Sequence, residues 1–197
     1  MSAAPLSKLL PADLAAVLPR IEAAPDLTAA LGACKSVPEA LEQLEQGGHF
    51  TEAVKLVSHA MPKREGVWWM CMCARATAVP EMPPADAAAL EAAELWVRRP
   101  NDENRRAAFS RAEEAKFATP EAWACVAAFW SGDSMSPAGQ PAVPPQPHFT
   151  GLAIAGGIVL ASVRVTPEKQ PERLRRFLGS AKDIATGGTG RLPSEVG

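Results

Sequence analysis

Residues 66–76, with the sequence GVWWMCMCARA, constrain the fold most, because they combine two adjacent tryptophans with a single charged side chain. The other charged residues nearby come just before this run, at Lys63, Arg64 and Glu65. A helix that is apolar on every face is typical of the buried centre of a protein. The sequence therefore predicts that 63–78 forms the central helix of the fold.

The two cysteines in this run do not indicate a metal site. On a helix, Cys71 and Cys73 lie about 200° apart, so their sulfurs face nearly opposite sides. A shared metal would need two further ligands, and the nearest histidines, His49 and His59, do not have a zinc-finger spacing. We therefore expect all the cysteines to be buried, reduced thiols, and we expect neither a metal nor a cofactor.

Helical periodicity recurs along the chain, whereas the alternation of a β-strand is nearly absent. Capping residues mark helix starts at Ser36, Asn101, Thr119 and Thr166, and prolines and glycines separate the helical stretches. We therefore predict an all-α fold, a compact bundle of about eight to ten short helices, in which stacked helical hairpins are one arrangement.

The same patterns divide the chain into three parts. Residues 1–35 are predicted to be an N-terminal extension with short helices. Residues 36–186 are predicted to form one all-helical domain, interrupted by a proline-rich loop at 132–147 that should lie extended on the surface. Residues 187–197, which begin GGTG, are predicted to be a flexible tail.

The charge and hydropathy patterns narrow the classes of partner. The formal net charge of −2 gives no general attraction to nucleic acid or to an anionic membrane. The apolar run 152–163 is shorter than the roughly 20 residues of a membrane span, and the first residues lack the apolar core of a secretory signal. We therefore expect a cytoplasmic protein without membrane insertion. Arginine clusters at 98–106 and 173–176 are interleaved with acids, which indicates solvated helix faces or, as the alternative, an acidic protein partner.

The expected binding surface for a partner protein combines the end of the 119–131 helix with the proline-rich loop. Trp123 and Trp130 share the predicted inward stripe of this helix, whereas Phe129 points about 100° away from Trp130. An aromatic outside the core stripe, followed by a stiff proline-rich segment, favours a protein interface. The alternative is that the loop folds back and buries Phe129. The residues predicted to contact the partner are Phe129, Trp130, Met135, Pro144 and Pro145.

No sequence motif indicates catalysis. The chain has no P-loop and no nucleophile elbow, and its histidines show no catalytic constellation. A non-catalytic interaction module is therefore the favoured function. The alternative is an enzyme whose site is assembled in space, and a deep pocket holding two of four side chains would support it. These four are Glu121, Asp133, His148 and Arg105.

Three stretches resemble a bacterial family known only as a domain of unknown function: EAVKLVSHAMPKREGVWWMCMCARA, AAELWVRRPNDENRRAAFSRAEEAKFATPEAWACVAAFWSGDSMSP and PPQPHFTGLAIAGGIVLASV. The resemblance covers roughly residues 35–190. Members of that family are small cytoplasmic proteins that are often encoded near type VI secretion components. The resemblance implies an adaptor, chaperone or accessory factor of a bacterial secretion system, with a secreted effector or spike component as its partner. It implies no catalytic residues.

Overall fold

The computed structural model describes residues 6–11 and 13–195, and these residues contain ten α-helices. No β-strand occurs in this part of the chain, so the predicted all-α class and the predicted number of helices are confirmed. A short 3₁₀ turn, Pro167–Lys169, precedes the last helix. The helices are α1 (Leu14–Ile21), α2 (Pro25–Gly32), α3 (Val37–Gln46), α4 (Phe50–Ala60), α5 (Lys63–Ala76), α6 (Pro84–Arg98), α7 (Asp102–Glu114), α8 (Pro120–Trp130), α9 (Phe149–Ser162) and α10 (Gln170–Ala185).

Helix α5 lies at the centre of the bundle, as its apolar sequence predicted. It packs against α6, α8, α9 and α10, and the side chains of Trp69, Cys71 and Cys73 are completely buried. The indole N–H of Trp69 donates a hydrogen bond of 2.8 Å to the backbone carbonyl of Phe177 in α10. The prediction of a central helix at 63–78 is therefore confirmed, although the helix ends two residues earlier.

The local sequence determines where several helices begin. Side-chain oxygens of Ser36, Asn101 and Thr119 accept hydrogen bonds from backbone N–H groups in the first turns of α3, α7 and α8. These bonds satisfy donors that the start of a helix leaves unpaired. The start predicted at Thr166 differs, because the 3₁₀ turn comes first and the Thr166 side chain caps neither element.

Helix α8 is enclosed, because α5, α6, α7 and α9 all pack against it. Nine of its 11 residues are buried, and the two exceptions, Trp123 and Trp130, are half-buried. The predicted inward stripe holds in part, because both tryptophans pack against the core, but the placement of Phe129 outside the core is wrong. A helix with neighbours on several sides has no single inward face.

Helix α9 is the apolar element between α4, α5 and α8. Its inner side chains, such as Ile154 and Ile158, are completely buried, whereas Leu152 remains 49% exposed. Within the described residues, no single helix combines the length and the apolar composition that crossing a bilayer requires. Only the pair Phe149–Ser162 and Pro167–Ala185, taken together across a bend of 119°, meets both criteria.

Both ends of the described chain pack against the bundle. Helix α1 contacts α2 and α4, so short helices do lie in the part predicted to be an extension. The sequence predicted a flexible tail from Gly187, but residues 187–195 lie against α5 and α10. For example, the indole N–H of Trp68 donates a 2.7 Å hydrogen bond to the carbonyl of Thr189. The predictions for residues 1–5, 12 and 196–197 lie outside the described residues.

Candidate functional site

A pocket of about 670 Å³ opens where the N-terminal ends of α5 and α7 approach the residues that follow α8. We call it the basic pocket. Its wall also includes Trp96 of α6, whose side chain is almost completely buried. The residues that give the pocket its chemical character are Lys63 and Arg64 of α5, Asp102, Arg105 and Arg106 of α7, and residues 131–134 after α8.

Arg105 is the most deeply buried charged residue of the basic pocket, with 3% of its surface exposed. Its Nε and Nη2 atoms donate hydrogen bonds to the carboxylate of Asp102, and its Nη1 donates one of 2.8 Å to the carbonyl of Phe129. The guanidinium carbon lies 4.8 Å from the centre of the Phe129 ring. A Cβ atom at Gly132 would lie only 2.4 Å from the Arg105 side chain. The guanidinium is therefore fixed by α7, α8 and the backbone of Gly132.

Asp102 holds two of the three arginines of α7, Arg105 and Arg106. Its second carboxylate oxygen accepts a 2.7 Å hydrogen bond from Nε of Arg106. The hydrogen bonds from Arg106 and Arg105 lower the pKa of the Asp102 carboxyl group, so that this group is ionised at neutral pH. Its place in the first turn of α7 also suits a negative charge, because the helix dipole is positive there.

Two cations of α5 reach the C-terminal ends of neighbouring helices. The Nε of Arg64 donates a 2.6 Å hydrogen bond to the carbonyl of Val97 in the last turn of α6. The Nζ of Lys63 lies 3.4 Å from the carbonyl of Ser131, directly after α8. These contacts satisfy carbonyls that helix ends leave unpaired. Each contact occupies only one donor of its cation. Within the described chain, the Nη atoms of Arg64 have no partner, and Nζ of Lys63 makes no other hydrogen bond.

The basic pocket therefore has an excess of positive charge. Four of its lining side chains are cationic and two are carboxylates. One carboxylate, that of Asp102, is already bound to Arg105 and Arg106, whereas donors of Lys63 and Arg64 remain free. Cations that backbone carbonyls hold in place can bind an anionic group without first becoming ordered, and this arrangement favours an anionic ligand.

The first part of the proline-rich loop forms the rim of the basic pocket. The N–H of Met135 donates a 2.7 Å hydrogen bond to the carbonyl of Val143, and the hydroxyl of Ser134 accepts hydrogen bonds from the N–H groups of Ser136 and Val143. Arg106 attaches the loop to α7 through a 2.7 Å hydrogen bond to the carbonyl of Ser136. The prediction of an extended loop is therefore wrong for 134–143, because these bonds close the segment on itself.

The structure places Phe129 away from any free surface. Its side chain is only 6% exposed, and its ring stacks on Phe109 of α7 with 4.2 Å between the ring centres. The prediction that Phe129 offers a free aromatic face is wrong, because α7 packs against the side of α8 that was expected to face solvent. The contacts described for the ring come from Phe109 and Arg105, not from the loop.

The other residues predicted to contact a partner, Trp130, Met135, Pro144 and Pro145, do not line the basic pocket. Trp130 is half-buried and packs against Phe149, with 5.0 Å between the ring centres. Met135 and Pro145 are half-buried, whereas Pro144 is exposed. Beside Pro144, Val143 is 52% exposed, although the sequence did not single it out. Whether these residues bind a partner stays a prediction.

Two of the four residues named for an enzyme, Arg105 and Asp133, line the basic pocket together. The other two lie elsewhere. Glu121 is 1% exposed and forms an ion pair with Arg164, and its Oε1 atom has no hydrogen-bond partner within the described chain. His148 is half-buried at the start of α9. Only Arg105 and Asp133 therefore share a pocket, and Arg105 is already bound by Asp102; the enzyme stays a prediction.

Three of the cysteines are buried thiols. Cys71, Cys73 and Cys125 are completely buried, and burial raises the pKa of all three thiols, that of Cys125 to about 12. Cys34 is half-exposed because it lies between α2 and α3, so its predicted burial is wrong. No group of three His, Cys, Asp or Glu side chains that could hold a metal occurs in the described part of the chain. The absence of a metal stays a prediction.

The sequence did not predict the contribution of Lys63 and Arg64, which it placed only at the polar margin of α5. One signal was present. Two adjacent cations occupy the first turn of a helix, where the helix dipole disfavours positive charge. Such a pair suggests that other groups stabilise these cations, and the carbonyls of Val97 and Ser131 do so.

The chain matches the model of a protein family. The model of a family of unknown function, DUF6931, matches residues 40–185, and the chain belongs to that family. The resemblance to an uncharacterised family is therefore confirmed, whereas the association with type VI secretion stays a prediction. Neither a curated protein nor a solved structure matches the chain.

Proposed function

We propose that this DUF6931 protein is a non-catalytic, cytoplasmic protein-interaction module, an adaptor, chaperone or accessory factor that binds an acidic segment of a partner protein in the basic pocket. A secreted effector or a spike component of a bacterial secretion system is the partner that the family resemblance suggests. The excess of positive charge in the basic pocket is the observation that carries the proposal.

The charge of the pocket differs from that of the whole chain. The formal net charge is −2, so the protein as a whole does not attract polyanions. The four cations of the pocket are instead collected at one place and oriented by carbonyls from α6, α8 and the loop. Local positive charge on an acidic protein favours a partner with a short acidic segment over a long polyanion.

The loop rim supplies the apolar part of the proposed interface. Val143 is 52% exposed and Pro144 lies beside it in an exposed position. The hydrogen bond between Met135 and Val143 and the attachment of Ser136 to Arg106 hold this rim in one conformation. A surface that is ordered before binding loses less entropy when the partner docks.

A binding assay with defined peptides tests the proposal. We expect a peptide of alternating glutamate and glycine to bind the wild-type protein, and its lysine counterpart not to bind. Replacing Lys63 and Arg64 together by glutamate should weaken binding of the acidic peptide by about 10-fold or more, because free donors become repulsive carboxylates. The matched control replaces Lys35 and Lys116, two exposed lysines outside the pocket, by glutamate.

The control keeps the same change in net charge, so it separates the pocket from general electrostatics. Equal losses in both double variants, or no loss in the pocket variant, would contradict the proposal. The same two variants identify a natural partner. A protein that co-purifies from the host with the wild type and with the control variant, but not with the pocket variant, is the expected result.

The enzyme remains a second candidate, because Asp133 and Arg105 line the same pocket. Asp133 makes no ion pair within the described chain, so its carboxylate is free to contact a ligand. Anionic compounds that bind the pocket can be found because they raise the thermal stability of the protein. If the protein is an enzyme, it converts such a compound, and replacing Asp133 by asparagine abolishes that conversion. Binding of such a compound without turnover in the wild type would contradict this candidate.

A further inference from the structure

The segment that follows α10 folds back onto the bundle, and we call residues 187–195 the strap. Gly187 and Gly190 adopt positive φ angles of 100° and 66°, which turn the chain directly after α10. The indole N–H of Trp68 donates to the carbonyl of Thr189, and the hydroxyl of Ser180 donates to the carbonyl of Gly190. The strap therefore follows a defined path across α5 and α10.

The strap ends in a carboxylate that two arginines of α10 bind. Glu195 accepts hydrogen bonds from Nε and Nη2 of Arg173 and from Nη1 of Arg176, at 2.7 to 3.1 Å. The hydrogen bonds from Arg173 are the main reason why the pKa of Glu195 is lowered. The two atoms of Arg173 form one edge of its guanidinium, which is the geometry that arginine uses to bind carboxylates in a fork.

Arg173 is built into the fold so that this edge must have a partner. Its side chain is 5% exposed, and its Nη1 donates hydrogen bonds to the carbonyls of Ser162, Arg164 and Thr166. These carbonyls fix the guanidinium and leave only the Nε and Nη2 edge for an anion. A buried charge without a partner is costly. The site therefore favours an anion, and the fork geometry suits a carboxylate, whichever chain supplies it.

The end of the strap is also held through its backbone, since Nη2 of Arg176 donates a 3.1 Å hydrogen bond to the carbonyl of Pro193. Beyond Gly188, one backbone–backbone hydrogen bond joins the described strap to the bundle, from the N–H of Glu195 to the carbonyl of Ala76 at 2.9 Å. Leu192 is half-buried against the core. A cavity of about 190 Å³ beside Glu195, lined also by Lys169, leaves room for a ligand that continues past the carboxylate. Most of the hydrogen bonds described for residues 191–195 are accepted by the Glu195 carboxylate, so another carboxylate that binds the two arginines would compete with this end of the strap.

We propose that Arg173 and Arg176 form a binding site for the carboxylate of an extended acidic segment of a partner protein, and that the strap occupies this site until such a segment displaces it. The strap itself shows the kind of ligand that fits, an extended peptide with an apolar residue three positions before the acid. This site shares no lining residue with the basic pocket, so the inference goes beyond the proposed function and does not depend on it.

The test uses the full-length protein with Glu195→Gln, which keeps the shape of the side chain and removes its charge. The probes are labelled synthetic peptides with the sequence of residues 191–197, RLPSEVG, and its counterpart RLPSQVG. In fluorescence anisotropy, the variant should bind RLPSEVG about 10-fold more tightly than RLPSQVG, because hydrogen bonds to a charged acceptor are the stronger ones. The wild type should bind RLPSEVG more weakly than the variant does, since its own Glu195 competes.

Equal affinity of the variant for the two peptides, or no binding of either, would overturn the proposal. A second arginine variant locates the site. Arg176→Gln, combined with Glu195→Gln, should weaken binding of RLPSEVG by about 10-fold, and because Arg176 is less buried than Arg173, this replacement should leave the protein folded. Unchanged binding in the double variant would place the peptide elsewhere and overturn the assignment.

Hydrogen exchange tests the wild type without any substitution. An excess of RLPSEVG should accelerate exchange of the Gly190 and Glu195 amides, which donate hydrogen bonds to Asp183 of α10 and to Ala76 of α5, whereas RLPSQVG should not. No acceleration at a peptide concentration that saturates the variant would show that the strap cannot be displaced. A concentration-dependent dimer of the wild type that RLPSEVG dissociates would show a second copy as the occupant, and would overturn the assignment to a partner protein.

Discussion

Arg105 and Arg173 are the two buried arginines of the described chain, and they differ in where their counter-charge comes from. Both guanidinium groups are anchored on backbone carbonyls, Arg105 on one and Arg173 on three. The carboxylate that pairs with Arg105 is that of Asp102, three positions earlier on the same helix. The carboxylate that pairs with Arg173 is that of Glu195, 22 positions later on the strap.

This difference separates an ion pair formed within one helix from an ion pair that forms only when the strap docks. Asp102 and Arg105 lie on neighbouring turns of α7, so the folded helix itself brings the two side chains together. Glu195 reaches Arg173 only when the strap is docked. The charge of the basic pocket therefore stays the same as long as α7 is folded. The Arg173 site, in contrast, can hold either Glu195 of the strap or a competing carboxylate.

The largest expected effect comes from removing each arginine in turn. Arg173→Met should lower the free energy of unfolding by about 3–5 kcal/mol, because three carbonyls and Glu195 lose their donor in a buried site. Arg105→Met should cost less, about 1–3 kcal/mol, because Asp102 is largely exposed and water can replace its partner. Urea denaturation of both variants measures the difference. Equal losses would show that the source of the counter-charge does not matter for stability.

A smaller effect is expected from crowding Arg105 without removing it. Gly132→Ala should cost about 1–2 kcal/mol and weaken binding of the acidic peptide, because a Cβ atom there would lie 2.4 Å from the Arg105 side chain. The matched control is Gly179→Ala on the exposed face of α10, where a Cβ atom would meet nothing within 4 Å. The control should be neutral or slightly stabilising. A harmless Gly132→Ala would mean that Arg105 can move freely.

The smallest expected effect is a difference in acid sensitivity. Because their pKa values are lowered in the folded state, Glu195 and Asp102 contribute stability that is complete above their usual pKa values of 4.5 and 3.8 and is lost as the pH falls through the folded values. Glu195→Gln and Asp102→Asn should each make stability less dependent on pH in that acidic range. We expect the strap to open before α7 unfolds as the pH is lowered. Hydrogen exchange of the Glu195 amide should then accelerate at a higher pH than exchange of the α7 amides.

His59 adds its own pH dependence to the stability of the protein, and this contribution overlaps with that of the carboxylates. Desolvation, with smaller contributions from the charges of Arg20 and His148, lowers the pKa of His59 from 6.5 to about 4. The unfolded chain therefore binds more protons between these values, and stability falls as the pH decreases from 6.5 to 4. Measuring the carboxylate variants in a His59→Gln background removes this contribution of His59 from the pH dependence. A His59→Gln protein with an unchanged slope above pH 4 would contradict this account of His59.

The sequence by itself determined the elements of this fold. Side-chain caps at Ser36, Asn101 and Thr119 fix helix starts through hydrogen bonds within a few residues, and the apolar run of α5 requires a central position. Both effects depend on residues that are close in the chain. The all-α class, the number of helices and the central helix could therefore be predicted.

Only the tertiary structure decided which faces and charges meet. Phe129 is buried because α7 packs on the side of α8 that periodicity assigned to solvent. Lys63 and Arg105 share a pocket, and Glu195 reaches Arg173, because distant parts of the chain come together in the bundle. Helical periodicity repeats every 3.6 residues and identifies the faces of one helix, but it carries no information about which neighbour covers each face. The candidate sites therefore lay beyond what the pattern of residues could predict.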